Sequence, residues 1–173
     1  MTRIEDALLL TLAVLAGGWD ALSRRIPNWL TLPAAIIGLA WHGYRDGWRG
    51  IGFALGGWLL GLAVLFPLFA LGGIGAGDVK LMAAAGALAG PQGLVVIFIY
   101  TGLLGGVAAV AMALARGRLG ATLRNTARLV FLLGGGRMEE ARKLDTAAGR
   151  LPYGVAIAAG CALFLWIGPR SIL

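Results

Sequence analysis

Charge is scarce in this sequence. Only 13% of its 173 residues are charged while 59% are hydrophobic, and the mean hydropathy is +0.84. A soluble globule of this size needs more polar surface than that, so the composition excludes a soluble enzyme and indicates an integral membrane protein. Cysteine and histidine are almost missing. Cys161 and His42 are single copies, too few to assemble a tetrahedral zinc site, and no metal or cofactor is expected. Cys161 reads as a small buried apolar residue and His42 as a polar residue at a span end. No cleavable signal peptide is evident, because Glu5 and Asp6 precede the first apolar run and that run ends at Trp19-Asp20 without a small-x-small site. No glycine-rich stretch has the strand-turn-helix setting of a nucleotide loop.

Hydrophobic runs are abundant by contrast. They predict an all-α polytopic bundle of about six transmembrane helices in one membrane-embedded domain, with spans near 5–22, 29–44, 51–71, 79–92, 93–115 and 151–169. The fourth, within "VKLMAAAGALAGPQG", is short and rich in small residues, so it reads as a crossing helix or as a re-entrant or deeply buried segment. The 29 glycines include small-xxx-small spacings at Gly52/Gly56, Gly57/Gly61, Gly86/Gly90 and Gly102/Gly106, which allow close helix packing in lipid.

The net charge of +7 does not imply nucleic acid, since the basic residues lie in loops beside apolar spans where anionic headgroups account for them. Arg24, Arg25, Lys80 and the basic loop 116–150 would share one face, opposite Arg3, Arg45, Arg49 and Arg170. An equally lopsided split arises if segment four does not cross. Within the loop, Leu119, Leu123, Ala127, Val130 and Phe131 recur at helical spacing, as in an interfacial amphipathic helix. The loop reads as a solvated basic surface or as a contact for a partner protein.

Carboxylates at a membrane edge are costly and mark function by default. Glu5, Asp6 and Asp46 read as solvated end or loop charges, and Glu139, Glu140 and Asp145 as part of a polar connector. Asp20 in "WDALSRRIPN" and Asp78 in "GIGAGDVKL" remain. The chain crosses twice between them, so both return to one face. Taken singly, Asp20 could pair with Arg24 one turn away and Asp78 could cap helix four. Taken together, two close carboxylates share a proton: one deprotonates water while the other polarises a peptide carbonyl. Gly75 and Gly77 would permit unusual dihedrals and a close substrate approach, or form a plain turn.

These residues carry a resemblance. "GIGAGDVKL" resembles the GxGD signature of the prepilin peptidase family of membrane aspartic proteases. "DALSRRIPN" resembles the family's first-aspartate motif, and "LPYGVAIAAG" the Pro-aromatic-Gly segment that opens its last helix. The small size is most similar to the short peptidases of tight-adherence (Flp) pilus systems. The resemblance implies Asp20 and Asp78 as catalytic residues, with Gly75, Gly77 and Lys80 in the active-site loop. Pro27, Asn28, Pro152, Tyr153 and Gly154 would be structural motif positions, with Asn28 able to cap span two. It further implies a bacterial inner-membrane enzyme whose active site faces the cytoplasm. Such an enzyme removes a short basic leader after a Gly from a prepilin whose hydrophobic helix lies in the bilayer, and contact with pilus assembly machinery through loop 116–150 is a further expectation. Longer members carry a Cys-x-x-Cys insertion and N-methylate the new terminus; that insertion is missing here, which counts against methyltransferase activity. Two rival readings are a presenilin-like intramembrane protease and a proton-coupled transporter using the two aspartates as a relay. The first lacks its Pro-Ala-Leu motif here and the second lacks a clear internal repeat.

Overall fold

A computed structural model describes residues 3–117 and 153–167, together with Gly120, Arg124, Ala127, Arg128 and Phe131. Those five residues are helical and exposed, while most of the expected interfacial helix and the connector after it lie outside the described residues. Four helices follow in order: α1 Arg3–Ser23, α2 Asn28–Ala70, α3 Ala76–Ala115 and α4 Tyr153–Ile167. By length and composition, α1, α2 and α3 are each apolar enough to cross a membrane, and α4 is a shorter apolar helix.

The two longest helices are each folded back on themselves. Gly47 has φ 60° and ψ −139°, and Gly90 has φ 72° and ψ 177°, values open to glycine and strained for residues with a Cβ. Contacts across the bundle reveal the reversals. Asn28 meets Lys80, Gly38 meets Ala87 and His42 meets Leu88, so residues 28–46 run parallel to 76–89. Gly57 meets Gly86 and Gly61 meets Ala83, so residues 48–70 run opposite to the same stretch. Likewise Gly93 lies against Phe164 and Gly105 against Ala156, which sets 91–115 antiparallel to α4. Within α1–α4, the described residues thus form six helical stretches with ends close to those read from sequence. Asp20, Asn28, Asp78 and Tyr153 lie at one end of the bundle, and Glu5, Gly47 and Gly90 at the other.

The fourth stretch is a deeply buried helix running from the Asp78 end to the far end. From Leu81 to Gly90 every residue is buried, and at about 1.5 Å per residue the stretch is too short to face thick hydrocarbon by itself. Small residues let its neighbours close around it. A methyl group on Gly57 would overlap the Gly86 carbonyl, and one on Gly61 would stand 2.6 Å from the Ala83 Cα. Thus the Gly57/Gly61 and Gly86/Gly90 spacings mark real helix crossings. Gly52, Gly102 and Gly106 have open space around them, so their spacing does not serve packing within the described chain. Outward faces carry Leu10, Val14, Leu32, Ile36, Leu59, Leu103 and Val107, an apolar surface suited to lipid.

The far end corrects three expectations. Glu5 is only 1% exposed, and its carboxylate accepts from the Arg45 guanidinium and from Trp41 Nε1 at 3.2 Å. His42 is buried as well, with Nε2 3.0 Å from the Leu88 carbonyl, an acceptor that requires this nitrogen to carry the proton, and Nδ1 3.9 Å from Glu5. Glu5 is therefore not a solvated end charge, nor His42 an interfacial one. Asp6 too has a buried carboxylate oxygen, Oδ1. The cause is tertiary: residues 28–46 place Trp41 and Arg45, one turn apart, against the first turn of α1. Asp46 is exposed, as expected, and accepts from Arg45 Nε at 2.9 Å. Cys161 is buried in α4, as its apolar reading anticipates.

Candidate active site

Helix α1 ends just after Asp20. The Ser23 hydroxyl folds back onto the Trp19 carbonyl at 2.8 Å, and Arg24 takes φ 52° while its N–H bonds the Asp20 carbonyl at 2.8 Å. That left-handed residue closes the helix where glycine is the usual occupant. Arg25 and Ile26 follow, then extended Pro27 (φ −75°, ψ 145°) leads directly into α2. Pro27 stands at the N-cap with no side-chain cap, so Asn28 does not cap α2. Its amide oxygen instead accepts from Lys80 Nζ at 2.9 Å.

On the other side, α2 terminates through bonds from Gly72 N–H to Phe69 and from Gly73 N–H to Leu68, each 2.9 Å. Gly75 is then the N-cap of α3, and Asp78, three residues on, accepts from the Gly75 N–H at 3.0 Å. This is the returning half of a capping box; Asp78 is not itself the N-cap. Gly75 has φ −82°, and neither it nor Gly77 adopts positive φ. Their expected unusual dihedrals are absent. Gly77 instead allows close approach, since a Cβ there would lie 3.1 Å from both the Cβ and the carbonyl of Ile26.

Asp20 is 4% exposed. Its Oδ2 accepts from the Val155 N–H at 3.3 Å, one of the free N–H groups in the first turn of α4. Among the described residues it forms no ion pair with Arg24, which removes the simplest structural account of this carboxylate. Gly154 packs directly on it: an added Cβ would lie 2.8 Å from Asp20 Oδ2. Asp20 and Asp78 then line one cavity of about 460 Å³, together with Ser23, Arg24, Arg25, Gly72, Gly73, Ile74, Gly75 and Tyr153. Each carboxylate stands beside the first turn of a helix, where the field of unpaired N–H groups favours negative charge.

The structure thus gathers Asp20, Asp78, Gly75 and Tyr153, with Gly77 and Gly154 packed immediately behind. It leaves Lys80 outside, exposed and paired with Asn28 over a separate groove that Thr31 and Trp58 also line. Pro152 lies outside the described residues. No group of three His, Cys, Asp or Glu side chains is placed to hold a metal ion among the described residues. Ile26 and the Val155 N–H were not apparent from sequence. Nothing in their residue types marks them, although Ile26 sits within the first-aspartate motif.

These features define a polytopic helical membrane protein with a carboxylate pair in a polar cavity at one end of its bundle. The model of the type IV leader peptidase family matches residues 7–110, a stretch containing both aspartates, and the chain belongs to that family. It is 35% identical over 106 residues to the prepilin leader peptidase/N-methyltransferase of Neisseria gonorrhoeae. The alignment covers 57% of this chain and 37% of that protein, so the chain spans well under half the length of this curated relative. No solved structure matches the chain.

Proposed function

We propose that this protein is a membrane aspartic endopeptidase that removes the leader from type IV prepilins of the Flp kind, with Asp20 and Asp78 as its catalytic pair. The observation that carries this reading is their convergence: two carboxylates from distant segments line one cavity, and neither is matched by a cation within ion-pair distance among the described residues. In the reaction one ionised aspartate takes a proton from water. The resulting hydroxide adds to the peptide carbonyl carbon while the protonated partner donates to the carbonyl oxygen. Collapse of the tetrahedral intermediate breaks the C–N bond and returns a proton to the leaving amine.

The site opens to the cytoplasm in this reading. The substrate's hydrophobic helix lies in lipid and presents its basic leader at the membrane edge, so that the bond after the leader Gly reaches the cavity. Residues 1–173 act as one membrane-embedded peptidase domain, and loop 116–150 offers a contact for the assembly machinery. Water is the nucleophile and no cofactor takes part. The reading assigns peptide hydrolysis and not N-methylation. Its test is mass spectrometry of a small Flp-type prepilin incubated with the purified protein in liposomes. Cleavage after the leader Gly, lost in Asp78→Asn, supports the proposal; an intact precursor or a cut elsewhere opposes it.

A further inference from the structure

The two aspartate motifs are packed on one another at Ile26. Ile26 is 8% exposed and touches both sides of the site. Its backbone and Cβ lie so close to Gly77, the residue before Asp78, that a methyl group there would stand 3.1 Å from each. At its other end, a methyl group on Gly154 would lie 2.8 Å from Ile26 Cδ1 and 2.8 Å from Asp20 Oδ2. The same side chain therefore abuts the first turn of α3, which bears Asp78, and the start of α4, which holds the Asp20 carboxylate through Val155 N–H.

Its own position is fixed from both directions. Pro27 restricts φ on one side, and the left-handed Arg24 closes α1 on the other. Isoleucine is β-branched and stiff at χ1, so it transmits position where a flexible residue would absorb it. Two residues further on, Lys80 Nζ bonds Asn28 Oδ1 at 2.9 Å and forms a second tie between the same two strands of chain. From this geometry we infer that Ile26 is a positioning residue, a wedge that sets the separation of Asp20 and Asp78, with the Lys80–Asn28 bond as its outer brace.

The inference rests on the reading of Asp20 and Asp78 as the acting pair, and its test has an arm that needs no activity. In a Cys161→Ala background, Asp20→Cys and Asp78→Cys are combined and treated in membranes with bismaleimides of graded length. With Ile26 present, cross-linking should favour one reagent length. With Ile26→Ala that preference should broaden or shift, with Ile26→Val intermediate. The second arm uses the intact aspartates. Ile26→Ala should lower kcat for prepilin cleavage at least tenfold with KM changed less, and should move the pH profile, because coupling between two carboxylates depends on their separation.

A merely structural isoleucine would reduce the amount of folded protein while leaving the length preference, and the pH profile per active molecule, unchanged. That result overturns the inference, and Ile26→Val provides it even if Ile26→Ala does not fold. If the unmutated protein cleaves no prepilin while the cross-linking preference still depends on Ile26, the wedge stands and the proposed function falls.

Discussion

Each end of the bundle buries a carboxylate, and the two are treated in opposite ways. At the far end Glu5 accepts from Arg45 and Trp41, with His42 Nδ1 3.9 Å away, all three drawn from residues 28–46. At the other end Asp20 is almost equally buried, yet it receives one backbone N–H and faces a polar cavity shared with a second carboxylate. Burial alone does not distinguish a structural acid from a chemical one. The partners differ: Glu5 holds α1 to α2, while Asp20 and Asp78 line one shared cavity, as the proposed reaction requires.

Mutation can break this comparison, and the largest effect is expected at the open end. Asp20→Asn or Asp78→Asn should cut prepilin processing by on the order of 10³-fold, within the range of general acid–base contributions, with helical content by circular dichroism unchanged. At the closed end the effect should fall on stability. Glu5→Ala removes the acceptor of the half-buried Trp41 N–H and of the exposed Arg45 guanidinium and should cost roughly 1–2 kcal/mol in detergent unfolding, while cleavage per folded molecule persists. Gly86→Ala strikes the helix that joins the ends. Its methyl group meets the Gly57 carbonyl, so a loss of about 1–3 kcal/mol and a parallel fall in folded yield should appear in thermal unfolding. Lys80→Met should be mildest, since its bond to Asn28 is exposed; a loss under about 1 kcal/mol would be read in the same assay.

The open end was far more legible in the sequence than the closed one. Asp20 and Asp78 are flagged by local motifs, and two intervening crossings return them to one face without any knowledge of packing. The six helical stretches follow from hydropathy, and the glycines at Gly47 and Gly90 punctuate the reversals. Glu5 was misread because its partners Trp41, His42 and Arg45 are brought to it only by the docking of 28–46 on α1, which no local pattern encodes. Gly75 and Gly77 leave two readings open in the sequence, unusual dihedrals with close approach or a plain turn, because a glycine can mark either; the ordinary φ at Gly75 fits the turn, and Gly77 packs closely on Ile26. Asn28 looked like a cap because its type favours that position, but Pro27 occupies it and frees the amide for Lys80.

The most direct measurement compares leader removal from a small pilin precursor in membranes containing wild type, Asp20→Asn or Glu5→Gln at matched folded amounts. Full-length precursor is expected with Asp20→Asn and near-normal shortening with Glu5→Gln. Persistent cleavage with Asp20→Asn, or its loss in folded Glu5→Gln, would contradict the division between a chemical end and a structural end.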